Sequence, residues 1–323
     1  MPKPPSRTAP EAKYSDAELA PLEDSHIWPG EDVTVNGIRL NVRTTPTDAP
    51  DAEPALFVHG LGGSAHNWTD FAAVLRHRLA VEAIDLPGHG RSGPAKDYRP
   101  AAHARIVIAY LEQSGRGPVH LVGNSMGGAI SLLVAARRPD LVRTLTLVSP
   151  AVPDNRLRIY PLKNDPRVAL MVLPVLGELV LKQFTKKYAV EARVAGTIRL
   201  CFADRKRYPK ARMEEAFEEA RARMDMPWAD TAMLRSMRGL VRSQFLRGRS
   251  GWTTMRKITA PTLVVWGDAD KLVAPDLAAY VAAAIPDSRL AVLEDIGHTA
   301  MMEDPVATAR MMLALVDEAS STG

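Results

Sequence analysis

The sequence predicts an α/β fold: a mostly parallel sheet with helices on both faces and a helical cap inserted after the sixth strand. Three observations predict it. Short apolar runs at Ala55–Val58, Leu79–Ile84, Val119–Gly123 and Leu145–Val148 alternate with amphipathic stretches, as expected of buried parallel strands joined by crossover helices. The alternation stops at Pro150, gives way to helical periodicity through about Arg256, and resumes at Thr262. A strand also runs straight into Gly123-Asn124-Ser125-Met126-Gly127, with a helical pattern following at once.

Residues 1–30 are rich in Pro, Ala and charge without an apolar period, and read as a flexible tail or an arm on the surface. Asp32 to Val42 alternates apolar and polar residues around Asn36-Gly37. This predicts a hairpin, because both central positions of a type I′ turn need positive φ. The first part of the core is expected over 31–150, with helices through Trp68–Leu75, Ala101–Leu111 and Met126–Arg137. A cap over 151–255 contains helical patterns such as Arg212–Met224 and Met233–Phe245. The second part of the core, 256–323, holds strands at Thr262–Val265 and Leu290–Leu293 and helices at Pro275–Ile285 and Val306–Val316.

Composition narrows the class. With 46% apolar and 24% charged residues the chain can build an ordinary globular core. The single cysteine, Cys201, cannot form an internal disulfide, which fits a reducing compartment. No secretory leader is expected, and no stretch reaches the roughly 18 to 20 apolar residues of a membrane span. A cytoplasmic location is the expectation. The net charge of +4 is uneven: residues 151–250 carry 21 Lys+Arg against 11 Asp+Glu. A solvated, arginine-rich helical face accounts for this, and no aromatic-basic motif points to nucleic acid.

The chemistry centres on Ser125. Its hydroxyl needs a tight strand-to-helix turn to stand exposed, so residues two away on each side must be small, as Gly123 and Gly127 are. Serine is a poor nucleophile until a base takes its proton. Of eight histidines, His298 follows the last strand in a loop at the carboxyl end of the sheet, where catalytic groups collect. The base needs an acid to fix its tautomer. Gly267-Asp268-Ala269-Asp270 supplies Asp270, with Asp268 as the alternative. Oxyanion donors are expected from the backbone N–H groups of Met126 and of Leu61 in His59-Gly60-Leu61-Gly62-Gly63, with Gly62 the second choice. No Gly-Lys-Ser/Thr follows those glycines, which argues against a phosphate cradle.

Ser125, Asp270 and His298 in that order, with His59-Gly60 upstream, resemble the α/β-hydrolase superfamily. The segments Asp85-Leu86-Pro87-Gly88-His89-Gly90 and Gly297-His298 through Glu303-Asp304-Pro305 resemble further loops of that family. The resemblance covers roughly residues 31–150 and 256–318, and implies that the helical block is the family's cap. The elbow Gly-Asn-Ser-Met-Gly-Gly is similar both to small bacterial carboxylesterases and lipases and to the meta-cleavage-product hydrolases, which break carbon–carbon bonds. The latter usually carry tryptophan after the catalytic histidine, where this chain has Thr299.

The function expected is a serine hydrolase that cleaves carboxylic esters of small to medium hydrophobic substrates through an acyl-enzyme on Ser125. No metal or organic cofactor is needed. Asn124, Gly62, Leu173 and Leu176 are the candidate substrate contacts, Asn124 because the resemblance places it at one. Carbon–carbon hydrolysis of ring-fission products and ligand binding on the same fold are the alternatives.

Overall fold

A computed structural model describes residues 7–22, 25–47, 49–154, 167–246 and 248–321. Residues 1–6, 23 and 24 of the expected tail and 155–166 of the expected cap lie outside that description. Eight strands form one sheet: β1 (Gly30–Val35), β2 (Ile38–Thr44), β3 (Glu53–Val58), β4 (Leu79–Ile84), β5 (Val119–Asn124), β6 (Val142–Val148), β7 (Thr262–Gly267) and β8 (Ser288–Leu293). Their order is β1-β2-β4-β3-β5-β6-β7-β8. β1 and β2 form an antiparallel hairpin, β2 joins β4 antiparallel, and every later pairing is parallel. Asn36 (φ 50°) and Gly37 (φ 76°) both take the positive φ that the hairpin turn demands.

Helices α1 (Thr69–Leu75), α2 (Pro100–Ser114) and α3 (Met126–Arg137) come before β6. Between β6 and β7 the described residues contain helices and no strand: α4 (Arg167–Val172), α5 (Leu176–Lys187), α6 (Val190–Cys201), α7 (Ala211–Met224), α8 (Ala229–Leu246) and α9 (Gly248–Met255). The chain closes with α10 (Ala278–Ala284), α11 (Ala300–Glu303) and α12 (Pro305–Ser321). Several strands begin earlier than their apolar runs. Glu53, Arg143 and Ser288 are polar, so hydrophobicity alone misses them, yet each pairs in the ladder or lies within its strand.

Alternation along the strands builds two cores. Leu56, Val58, Leu121, Leu145, Leu147, Val264 and Trp266 face one side, with Val107 of α2, Ile130 of α3 and Val281 of α10. Phe57, Val122, Val148, Leu263 and Val265 face the other, with Phe71 of α1 and Met312 of α12. Burial of both faces removes the polar alternation an exposed sheet would show.

Of the flexible tail or surface arm expected over residues 1–30, residues 10–20 form an ordered arm. Ala12 N–H donates to Leu290 O at 2.9 Å, and Leu290 N–H donates to Pro10 O at 2.9 Å, pairing the arm with β8. Ser15 N–H reaches Arg310 O, and Ala20 N–H reaches Val74 O, both at 3.0 Å. The physical reason is the edge: β8 ends the sheet, and its unpaired backbone groups accept an extended chain whatever its composition.

Three buried histidines lie in contact between the end of β3, the loop after β4 and α2. The His59 and His89 ring centroids are 5.5 Å apart, and those of His89 and His103 are 5.9 Å apart. Burial holds all three neutral, pushing His59 down to about 4, His103 to about 3 and His89 well below its ordinary value. The unfolded chain binds these protons near pH 6.5 while the folded chain refuses them, so stability is full above that value and declines as pH falls toward 4. Urea denaturation at about pH 7.5, 6 and 5 should give falling midpoints, with a shallower slope for His103→Gln. A midpoint constant over that range, or a slope unchanged in the variant, would contradict the assignment.

Candidate active site

The elbow at Ser125 is set by close approach. Ser125 joins β5 to α3 with φ 54° and ψ −116°, a conformation that side-chain-bearing residues rarely adopt. A Cβ on Gly123 would lie 2.5 Å from Gly127 O and from Ser131 Oγ, and one on Gly127 would lie 2.0 Å from Val58 O. Only hydrogen fits at either position. Ser125 N–H donates to Val148 O at 3.1 Å, and Ala151 N–H donates to Ser125 O at 2.9 Å, so the turn is bonded to the end of β6.

His298 and Asp270 form a buried pair. His298 Nδ1 lies 2.7 Å from Asp270 Oδ2. The other carboxylate oxygen accepts the N–H groups of Leu272 (2.7 Å) and Val273 (3.0 Å), which fixes the carboxylate plane. With Nδ1 donating to Asp270, Nε2 is the free, basic nitrogen. Asp268 is exposed, and its N–H goes to Leu293 O. The structure therefore joins His298 to Asp270 rather than to the alternative. Among the described residues the Ser125 hydroxyl makes no hydrogen bond.

Asn124 links the elbow to the histidine. Its buried Nδ2 donates to Val148 O and to His298 O, both at 3.1 Å. The NH2 half of the amide that resemblance placed against substrate is thus held by two backbone carbonyls.

The glycine-rich loop lies against the elbow. A Cβ on Gly60 would sit 3.1 Å from Ser125 Cβ. His59 anchors the loop: Nε2 accepts Leu86 N–H at 3.0 Å, so Nδ1 carries the proton and donates to Gly60 O at 2.7 Å. Gly62 takes φ 75° and its carbonyl accepts Nη1 of Arg223 at 2.9 Å. Leu61 is half-buried and packs toward Leu181, Leu234 and Met237 of the helical insertion. Met126 is fully buried at the first position of α3, where a backbone N–H has no intrahelical partner.

Leu173 and Leu176 are not brought to this loop. Both are exposed on the α4–α5 hairpin, and the insertion residues that reach Gly62 are Arg223 and Met233. Apolar spacing marks a helical segment without saying which face meets the core.

Sequence reasoning missed how the insertion grips the loops that carry Asp270 and His298. His298 N–H donates to Cys201 O at 2.7 Å. Lys271, next to Asp270, sends Nζ to Arg199 O (3.1 Å) and Phe202 O (2.8 Å). Glu303, its side chain fully buried, accepts Gly297 N–H at 2.8 Å, Ala203 N–H at 3.1 Å and Asp204 N–H at 3.0 Å. One carboxylate thus ties the residue before His298 to the end of α6. Glu303 lay in the histidine-loop motif, but its partners are backbone groups, which carry no side-chain signature.

The fold and this geometry are those of a hydrolase. The chain belongs to the alpha/beta hydrolase fold family, whose sequence profile matches residues 54–305. It is 27% identical over 289 residues to the monoacylglycerol lipase abhd6-B of Xenopus laevis, covering 86% of this chain and 80% of the relative. It is 29% identical over 280 residues to Lipase 3 of Moraxella sp. (strain TA144), covering 84% and 79%. Among solved structures, that of Cfl2 from Burkholderia cenocepacia superposes with a TM-score of 0.75 at 21% identity, covering 90% and 98%, a likeness of fold.

Three substitutions separate the contributions of these carboxylates. Asp270→Asn should lower kcat/KM for p-nitrophenyl acetate by about 10³–10⁴-fold, whereas Asp268→Asn should stay near wild type. Glu303→Gln should lower kcat by about 10- to 100-fold with KM little changed, because it loosens the base rather than a substrate contact. Steady-state kinetics check all three, and a severe Asp268→Asn beside a mild Asp270→Asn would reverse the pairing.

Proposed function

We propose that this protein, a hydrolase acting on ester bonds, cleaves carboxylic esters of small to medium hydrophobic substrates through an acyl-enzyme on Ser125. The observation that carries the reading is the strained Ser125 elbow bonded through Asn124 to a buried His298–Asp270 pair. Its lipase and esterase relatives support the substrate class.

The chemistry follows from the groups present. His298 Nε2 takes the Ser125 proton as Oγ attacks the ester carbonyl. Asp270 holds Nδ1–H and stabilises the imidazolium that forms. The backbone N–H groups of Leu61 and Met126 receive the oxyanion, on a loop that His59 and Arg223 hold against the elbow. The imidazolium then protonates the leaving alkoxide. Water, deprotonated by the same nitrogen, attacks the acyl-enzyme and releases the acid. The helical insertion over residues 151–255 acts as a cap.

Hydrolysis of p-nitrophenyl esters from acetate to laurate tests this reading, run in parallel with Ser125→Ala. Turnover should peak at one chain length and fall at least about 10⁴-fold in the variant. A loss of tenfold or less would remove Ser125 from the mechanism. No turnover by folded wild-type protein would remove the ester reading itself.

A further inference from the structure

We propose that the α4–α5 hairpin of the helical insertion docks on an anionic phospholipid bilayer and so presents the Ser125 site to esters held in that surface. The inference rests on the ester-hydrolase reading for its purpose, but not for its physical basis.

The hairpin is two-sided. Gly177 and Leu181, one turn apart on α5, face inward: Gly177 is pressed against Met171 O, and Leu181 packs with Leu234 and Met237 of α8. Leu170, Leu173, Val175, Leu176 and Leu179 are 42% to 70% exposed, while Phe184 shares the helical face of Gly177 and Leu181. Isolated exposed leucines are ordinary, whereas five large apolar side chains exposed on one hairpin form a patch of the kind that marks a binding surface. The tip adds to the case. Val175, the most exposed of them, holds φ 68°, where glycine or asparagine would relax the turn and a β-branched residue is disfavoured. Local stability therefore does not account for an apolar residue at that position.

Charge identifies the occupant. Glu178 is the single acid of α5, and Arg238 of α8 takes it up through two bonds of 2.7 and 2.8 Å. Arg238 also binds Val172 O and Leu173 O, pinning the hairpin to α8. Lys182, Lys186 and Lys187 follow the apolar patch along α5, and among the described residues none pairs with a carboxylate. An apolar face flanked by three lysines that meet no carboxylate among the described residues would repel a second copy of itself. It matches a surface with acyl chains beneath anionic headgroups, into which apolar residues insert while lysines stay at headgroup level.

Flotation with vesicles of phosphatidylcholine, alone or mixed with one third phosphatidylglycerol, tests this on the full chain carrying Ser125→Ala, which leaves the lipid intact. The protein should float with mixed vesicles and only weakly with phosphatidylcholine, and added salt should release it. Two variants are made in that background and in the active protein. Replacing Lys182, Lys186 and Lys187 by Gln should weaken partitioning about 100-fold. Val175→Asn with Leu179→Gln should weaken it as well. Both should keep their melting temperature and their turnover of dissolved p-nitrophenyl acetate. Absence of flotation, or flotation that neither variant reduces, overturns the proposal. So does a dimer in sedimentation that the Val175/Leu179 variant dissociates, which would assign the face to a second copy. Since binding is read on an inactive protein, failure of the ester reading would show only in the p-nitrophenyl assay.

Discussion

The structure turns on one unfavourable backbone conformation. Holding a serine at φ 54° costs on the order of 1–3 kcal/mol and persists only where its surroundings over-determine it. Those surroundings are explicit. Gly123 and Gly127 remove the side chains that would block the turn, and the β6 end and Ala151 bond both backbone faces of Ser125. The parallel order of β3, β5 and β6 places the glycine-rich loop and the insertion's entry point on either side of the elbow. The return on this strain is a hydroxyl standing clear of both strand and helix.

Asp270 and His298 are held by a second set of contacts that do not come from the sheet alone. Backbone carbonyls at the end of α6 receive His298 N–H and Lys271 Nζ, and Glu303 gathers N–H groups from both sides of the junction. The segment 199–204 therefore behaves as part of the catalytic floor, while α4 and α5 stand further out. Within one insertion, the portion that fixes geometry and the portion that meets the surroundings are different helices.

Much of this was legible in the residues. Unbroken apolar runs located most of the parallel strands and alternation located the hairpin, and the Asn36-Gly37 turn and the Ser125 elbow have spacings that steric rules alone require. Asp270 was separable from Asp268 by position and is separated again by burial and by its bond to His298. What was not legible depends on tertiary placement. The arm over residues 10–20 has no apolar period, since an edge strand recruits backbone rather than side chains. The outward turn of Leu173 and Leu176, the capture of Asn124 by two carbonyls and the bridging by Glu303 all depend on where distant carbonyls and amides come to lie.

The pairing of that arm with β8 bears on the order of assembly. Ser15 Oγ also bonds Asp317 on α12, some three hundred residues away. Contacts so remote in sequence close the largest loop the chain can form and mature last. The arm is thus among the last parts to find its place, and until it does the outer edge of the sheet stands open. A domain fused ahead of residue 10 and too bulky to let the arm lie down would leave that edge bare, and self-association rather than lost catalysis would be its first symptom.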